Sequence, residues 1–535
     1  MKNKYLIGSL MCAMVIAVLT SSCKKLLEQT PQNSTYSEVF WQSSRDLNSA
    51  IAGNYALLRA AANSGTYNPS PRYYMYGDAV AKSYFTMQYV GDGLENIQNG
   101  DYTFIYNLNS LANWTSYYKT IAMSNIVLSK VPGVPEDKLT DVTNPAQFKR
   151  KIMGQALFIR ALSYFMMTRV WGDVPLVTEA YEDPISAPHL PRSPKADVMK
   201  QIEKDCHDAI GMLDWGYTNT AEAHITASKG SVYALLAHLY LWRATMTDVR
   251  SNTPIAADVA SADTTLTAVI AKGGYTLTDT SKYYDTFVGR SNEGIFELNM
   301  SENTKEGSSW SIANMFLRSN YIAYNSDNSR NYVNTGYLND HFYKLTKDWQ
   351  WVWTGSQWVW TEVSVKTIDS LDVRYRKNFD YRGTDRPTCI KYHNVVYRNA
   401  GQLQDAYVSN NMIIFRLSDM KLLQAEVALY QGNTGKAIDI INSFRKRYGA
   451  SPDAQLATDL TKDQVMDEYI LERGKEMYLE GHIFYDLLRT RKYETFVPWL
   501  SSTRFAQEGF YWPVYPSLFS DNNLLKQTSY WLGKI

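Results

Sequence analysis

Apolar residues recur at the spacing of a helix over most of the chain. A first helix is predicted to begin near Ser44, because the apolar residues that follow it are separated by three or four positions. The same spacing predicts further helices over residues 113–131, 146–171, 195–213, 227–245, 257–272, 412–431, 436–447 and 463–480. Gly273-Gly274 and Gly432-Asn433 directly follow two of these segments and are typical helix stop signals.

Two stretches interrupt this helical pattern. Residues 63–110 are rich in Tyr, Asn, Gly and Pro and are predicted to form a long loop, while residues 275–410 carry only short β-like runs such as 294–298. The helices around them form consecutive pairs joined by short breakers, which is typical of tetratricopeptide-like arrays. The pattern therefore predicts a mainly α fold, with an array of helix pairs over residues 37–274 and 411–500 and a large irregular, partly β insertion over residues 275–410.

Alternation of tryptophan with other residues over 349–360 is the sharpest local pattern in the insertion. The sequence Trp-Gln-Trp-Val-Trp-Thr-Gly-Ser-Gln-Trp-Val-Trp predicts a β-hairpin. If the turn centres on Gly355-Ser356, the tryptophans pair across the ribbon and share one face. These residues are Trp349, Trp351, Trp353, Trp358 and Trp360. Two interpretations stay open: a ladder packed against the helical array, or a platform on which the apolar faces of sugar rings stack.

Aromatic residues elsewhere in the irregular stretches are further candidates for ligand contact, because long loops in compact proteins often carry function. The candidates are Tyr74, Tyr84, Tyr89, Trp310 and Tyr324. Tyrosine also fills irregular loops, so packing is the competing interpretation for each of them.

Composition narrows the class of protein. Of the 535 residues, 45% are hydrophobic and 20% are charged, which excludes a disordered chain and a coiled coil. The chain has 54 Lys and Arg residues and 53 Asp and Glu residues. The net charge is therefore close to zero, and no strong electrostatic field favours nucleic acid as a partner. Aromatic residues make up 13% of the chain, and 40 of them are tyrosine. Because tyrosine is amphipathic, this excess indicates solvent-exposed surfaces that also present apolar area.

The first 23 residues predict export. Lys2 and Lys4 precede an apolar run over 5–19, and small polar residues then lead to Cys23. This order is typical of a bacterial lipoprotein signal over residues 1–22 with lipid attached to Cys23; an ordinary secretory peptide is the alternative. Cys206 and Cys389 show no metal-binding or redox spacing, and whether they pair stays open.

No catalytic constellation is visible in the sequence. The seven histidines have no zinc-binding spacing, and neither a nucleophile elbow nor a phosphate-binding glycine loop occurs. We therefore expect no metal, no cofactor and no enzymatic activity. A pair of catalytic carboxylates, as glycosidases use, stays open because Asp and Glu are plentiful.

Several motifs spread along the chain together resemble the SusD/RagB family of nutrient-binding outer-membrane lipoproteins. They lie at residues 23–31, 53–55, 155–165, 171–177, 226–230, 415–419, 424–426, 441–445, 472–487 and 511–513. The likeness spans nearly the whole chain and departs from the family where His482 and Ile483 follow Glu480-Gly481, since the family usually has an arginine there.

This resemblance implies a fold and a function. Residues 23–535 would form a single SusD-like domain, anchored by its lipid in the outer membrane and facing the cell surface. The protein would bind an oligo- or polysaccharide through its irregular loops and deliver it to a SusC-like TonB-dependent transporter. A peptide cargo is the first alternative, and a lipoprotein glycosidase is the second.

Charged residues of the motifs are expected to be structural, because they lie on otherwise apolar helices. Polar groups at such crossings need partners, so we predict that they form ion pairs between helices. The residues are Arg160, Arg416, Glu426, Arg445 and Glu480. Trp114 and Trp171 are predicted to lie in the core.

Overall fold

The computed structural model describes residues 40–63, 71–103, 108–183, 187–217, 219–304, 311–399 and 401–535, and about half of the chain is helical. The α-helices of these residues are α1 (Ser44–Asn63), α2 (Arg72–Gly77), α3 (Leu108–Ala112), α4 (Thr115–Lys130), α5 (Pro145–Trp171), α6 (Lys195–Ile210), α7 (Lys229–Met246), α8 (Ala256–Lys272), α9 (Asp285–Val288), α10 (Thr335–His341), α11 (Val373–Asn378), α12 (Leu417–Tyr430), α13 (Thr434–Arg447), α14 (Lys462–Glu476), α15 (Ile483–Thr490), α16 (Tyr493–Phe496), α17 (Ser502–Ala506) and α18 (Ser517–Asp521).

The long helices pack in chain order. Helix α1 packs on α4, α4 on α5, and each helix from α5 to α7 packs on the next one in the chain. Helix α8 then packs on α12, which also contacts α13 and α14, so the array continues across the intervening segment. The predicted mainly helical, tetratricopeptide-like fold is confirmed. In the described part of the chain, no helix is long and apolar enough to cross a bilayer.

Strands occur only as two-stranded antiparallel ribbons within the described ranges. They are β1 (Phe85–Met87) with β3 (Asn331–Val333), β2 (Gly294–Leu298) with β10 (Met412–Arg416), β4 (Tyr343–Trp353) with β5 (Trp358–Ile368), β6 (Phe379–Asp380) with β7 (Thr388–Cys389), and β8 (Val395–Tyr397) with β9 (Ala406–Val408). Most strands lie between α8 and α12, where the sequence predicts the partly β insertion.

The helix predicted over 412–431 is wrong at its beginning. Residues Met412–Arg416 form β10, in which Met412 pairs with Leu298, and helix α12 begins at Leu417. All five strand residues are buried, and a short apolar run of this kind fits a buried strand as well as a helix. The pairing with β2, more than a hundred positions earlier in the chain, decides between the two.

The helix predicted over 463–480 also ends early. Helix α14 stops at Glu476, and a turn then places Leu479 and Gly481 at φ angles of 57° and 79° before the unpredicted helix α15 begins. A Cβ at position 481 would lie 2.2 Å from the ring of Tyr73, so this close approach requires glycine as much as the φ angle does.

The predicted ion pairs are confirmed, and those of Arg160, Glu426 and Arg445 join two helices. Arg160 binds Asp205 at 2.6 Å, Arg445 binds Glu472 at 3.1 Å, and Arg489 binds Glu426 at 2.6 Å, all in buried positions.

Arg416 is the centre of a buried ionic cluster that does not join two helices at this residue, because Arg416 lies on β10 and its partner Glu480 in a turn. Its guanidinium contacts the carboxylates of Glu480 at 2.7 Å, Glu476 at 2.8 Å and Glu293 at 2.7 Å. Burial alone would raise the pKa of Glu476, but the guanidinium groups of Arg416 and Arg374 outweigh it and lower that pKa to about 2. Despite burial, the charge of Arg416 also lowers the pKa of Glu480, so Glu476 and Glu480 are both ionised and paired, and they hold β10 against the end of α14 and the turn after it.

Two further predictions concern the core. Trp114 and Trp171 are buried, as expected. Cys206 and Cys389 are free thiols, also buried, so they do not pair with each other.

Candidate functional site

The tryptophan hairpin has the register that its sequence predicts. Trp353 pairs with Trp358, Trp351 with Trp360, and Trp349 with Glu362 along two strands of eleven residues. Gly355 adopts a φ of 94° in the turn, and the N–H of Thr354 donates to the carbonyl of Gln357 at 2.9 Å. Since facing residues of a ribbon share a side, all five tryptophans lie on one face.

This tryptophan face is open to solvent. Each of its five indoles keeps between 50% and 62% of its surface exposed, and every residue from 347 to 358 is exposed. The interpretation of a ladder packed on the helical array is therefore wrong for these residues. Large apolar side chains grouped in this way usually mark a site of interaction.

The indoles form a stepped surface. The ring centroids of Trp349 and Trp360 are 6.5 Å apart, those of Trp351 and Trp360 are 5.5 Å apart, and those of Trp353 and Trp358 are 5.7 Å apart. Neighbouring ring planes are inclined by 27° to 56° to each other. Several flat apolar surfaces are thus offered at changing angles, which suits a ligand that itself twists along its length.

Polar groups border the tryptophan face. The ammonium of Lys347 lies 2.6 Å from the carboxylate of Glu362, and both residues lie on the same side of the ribbon as the indoles. Such groups could exchange their partners for the hydroxyls of a bound sugar, while the indoles cover its C–H faces.

The hairpin is attached to the body only at its base. The hydroxyl of Tyr343 donates to Glu468 on α14, and the ammonium of Lys366 lies 3.9 Å from the centre of the Tyr343 ring. The N–H of Asp369 closes the base by donating to the carbonyl of Phe342 at 2.9 Å. The tryptophans thus project from the fold on a ribbon that packs on Pro452–Ala454 and α10 and is tied to α14 by Tyr343.

Two of the other predicted ligand residues do not reach the surface. Tyr74 and Tyr84 are buried in the core, where Tyr84 packs against Tyr337 and His341, so as placed they cannot meet a ligand. Tyr89 is 79% exposed, and Trp310 lies outside the described residues.

Tyr324 lies in a small aromatic surface with Tyr397, and of these two residues the sequence predicts only Tyr324. It is 37% exposed, and its hydroxyl accepts a hydrogen bond from the amide of Asn314 at 3.1 Å. Tyr397 is exposed nearby, and its hydroxyl accepts from the N–H of Ala323 at 3.4 Å. Nothing in the sequence singles out Tyr397 as a ligand residue, because more than seventy positions separate it from Tyr324 and only the fold brings the two together.

One buried group of side chains has the ligand types of a metal site. In the described residues, His238, Asp419 and His482 bring a nitrogen or oxygen atom each within 4.8 Å of one another. Hydrogen bonds already use these atoms: His238 contacts Asp419 at 2.7 Å, Arg473 contacts Asp419 at 2.6 Å, and His482 contacts the carbonyl of Ile414 at 3.2 Å. We interpret the group as part of the buried polar network.

The fold and the site together define a class of protein in which a helical array carries an exposed aromatic ribbon. Comparison with known proteins gives the family. A model described as "Starch-binding associating with outer membrane" matches residues 25–241, and a model described as "SusD family" matches residues 292–531. SusD-like protein P38 of Formosa agariphila is 26% identical, over 95% of this chain and 95% of its own length.

Solved structures share the fold. A SusD homolog from Bacteroides thetaiotaomicron superimposes with a TM-score of 0.71 at 22% identity, covering 92% of this chain and 99% of its own. NanU of B. fragilis gives a TM-score of 0.68 at 21% identity, covering 93% and 99%. The two family matches together cover most of the chain, and this protein belongs to the SusD/RagB family.

Proposed function

We propose that this protein binds a glycan at the cell surface and hands it to a TonB-dependent transporter of the outer membrane, without cleaving it. The observation that carries the proposal is the tryptophan face: five exposed indoles on one side of a projecting ribbon. Sugar rings present apolar C–H faces that stack on indoles and hydroxyls that bond to the polar groups beside them. The "starch-binding" description of a matching family model supports the same class of ligand.

Binding of a glycan is tested by isothermal titration of the purified protein against neutral hexasaccharides of glucose, xylose and mannose. We expect at least one of them to bind, with an affinity that rises with chain length because more indoles are covered. Binding of neutral peptides but of no saccharide would replace the glycan by a peptide cargo. Release of shorter sugars during the same incubation would indicate a glycosidase.

Attachment to the outer membrane is part of the proposal and depends on Cys23. A thiol carrying lipid should hold the protein in the membrane fraction, since each buried methylene contributes about 0.8 kcal/mol. Mass spectrometry of the intact protein should show a chain that begins at Cys23 and carries acyl groups. A Cys23→Ser variant that stays in the membrane fraction would contradict the anchor.

Delivery to a transporter requires a physical complex. Gentle extraction of membranes that contain the affinity-tagged protein should recover a large TonB-dependent β-barrel in stoichiometric amount. If the protein is recovered alone under conditions that preserve other outer-membrane complexes, the delivery step is wrong while the binding step still stands.

A further inference from the structure

A groove separate from the hairpin lies at the beginning of the helical array. It encloses about 650 Å³ between α1, the first three turns of α5, and Asp214 with residues 219–226. Sites for small ligands usually enclose about 300–1,000 Å³. The groove shares no residue with the hairpin, which is attached to α14 near the other end of the packing order.

The groove has an apolar floor. Ile51 and Ile152 are buried beneath it, and the half-buried ring of Phe148 forms part of one wall. The phenol of Tyr55 is fixed at the bottom, because its hydroxyl donates to Gln155 at 3.0 Å and accepts from the N–H of Ala227 at 2.8 Å. Side chains held in this way are set before any ligand arrives.

The walls are polar but carry no net charge. Two basic side chains, Arg59 and Lys151, face two acidic ones, Asp214 and Glu222, and Lys151 binds Glu222 at 2.9 Å. The remaining polar lining consists largely of side-chain amides, among them Gln147. An amide both donates and accepts hydrogen bonds, as a hydroxyl does, whereas an ionic ligand would find no excess of opposite charge here.

We propose that this groove is a second binding site for an uncharged saccharide. Amides that pair with hydroxyls, an aromatic ring and an apolar floor are the complement of a neutral sugar chain. An extended peptide fits less well, because the two helices that form the walls have no free strand edge to pair with its backbone. The proposal does not require the tryptophan face to bind the same ligand.

The test blocks the groove without touching the core. Ala52 is exposed on α1 and lines the groove, whereas Ala56 is exposed on the same helix outside it. Both accept arginine, a good helix former, so Ala52→Arg and Ala56→Arg form a matched pair. Each is placed in the complete chain that also carries Trp351→Ala and Trp360→Ala, so that the hairpin contributes little.

Titration with neutral glucose, xylose and mannose hexasaccharides should show remaining binding in the hairpin variant. Ala52→Arg should weaken this binding at least tenfold, and Ala56→Arg should change it less than twofold. Trigalacturonate, an acidic saccharide, should not bind to the groove. Equal affinities of the two arginine variants, loss of all binding in the hairpin variant, or binding of a capped neutral peptide instead of any saccharide would overturn the proposal.

The same series separates this inference from the proposed function. If the hairpin substitutions leave the affinity of the wild type unchanged and Ala52→Arg abolishes it, the groove is the saccharide site and the role of the tryptophan face is wrong. If both sets of substitutions weaken binding independently, both sites stand.

Discussion

Tryptophan appears in this protein in two environments with different physical roles. Trp171 is buried and packs edge-on against Tyr76 and Trp114, so its indole contributes to the stability of the array. The indoles of Trp351 and Trp358 are more than half exposed and contribute little to the fold. Residue type alone therefore does not give the role, and substitutions at the two kinds of position should act on different properties.

Replacement of Trp351 by alanine should weaken glycan binding about tenfold, or roughly 1.4 kcal/mol, because one stacking surface is lost. The melting temperature should stay unchanged, since the side chain is exposed. Val352→Ala is the matched control on the opposite face of the same strand and should leave the affinity unaltered. Isothermal titration measures both, and an equal loss in both variants would mean that the strand, and not the tryptophan face, is required.

Replacement of Arg416 by methionine should destabilise the protein by about 3–5 kcal/mol, because three buried carboxylates lose the guanidinium group that joins them. Calorimetry should show this as a strongly lowered unfolding temperature. The control is Lys347→Met, which removes an ion pair from the exposed hairpin and should leave that temperature unchanged. Similar effects of the two substitutions would contradict a structural role of the buried cluster.

At the scale of elements, the β4–β5 hairpin depends on the body more than the body depends on it. An isolated two-stranded ribbon is at best marginally stable, and this one is held by its own cross-strand pairs and by the contacts of Tyr343 at its base. The elements of the array, by contrast, each pack on two or more neighbours. Removal of the hairpin should therefore change binding and not folding.

Excision of residues 344–367, with an Asn-Gly turn joining Tyr343 to Ile368, tests this independence. The two ends are paired in the ribbon, so a tight turn can close the gap. We expect an unfolding temperature within a few degrees of the wild type and a loss of binding at the tryptophan face. A large fall in that temperature would show that the hairpin supports α14 after all.

At the scale of the whole molecule, buried ionisable groups set the response to acid. Burial raises the pKa of Glu297 to about 7, so the folded protein holds a proton that the unfolded chain releases above pH 4.5. Burial lowers the pKa of His341 and of His482 to about 3, so there the unfolded chain takes up protons first, from pH 6.5 downwards. The first effect adds stability as the pH falls towards 4.5, and the second removes it.

Stability should therefore fall moderately between pH 7 and 4.5, because two histidines outweigh one glutamate, and fall more steeply below pH 4.5. In that lower range the paired carboxylates, among them Glu476 with its pKa of about 2, stay ionised in the fold while the unfolded chain binds protons. Urea unfolding at a series of pH values measures the effect. Glu297→Gln should steepen the decline between pH 7 and 4.5, and a constant stability down to pH 3 would contradict the assignment.

Much of the fold and part of the site could be predicted from local pattern. Helix α7 begins at the predicted place because Ser228 caps it, and the hairpin register follows from strict alternation around Gly355. Strand β10 was mistaken for helix because its partner β2 lies far away in the chain. Tyr74 and Tyr84 were expected in a loop that could reach a ligand, yet they are buried, because packing against distant residues decides their exposure.

The sequence by itself determined most of the long helices and the tryptophan hairpin, together with the residues that share a face in each, since these depend on the spacing of side chains along a helix or strand. It also determined the family, through motifs of which several charged residues form buried ion pairs. Only the tertiary structure decided that the five tryptophans face solvent and that α1, α5 and residues 219–226 line a groove. Exposure and enclosure depend on which distant surfaces meet, and the spacing of residues within one segment does not contain that information.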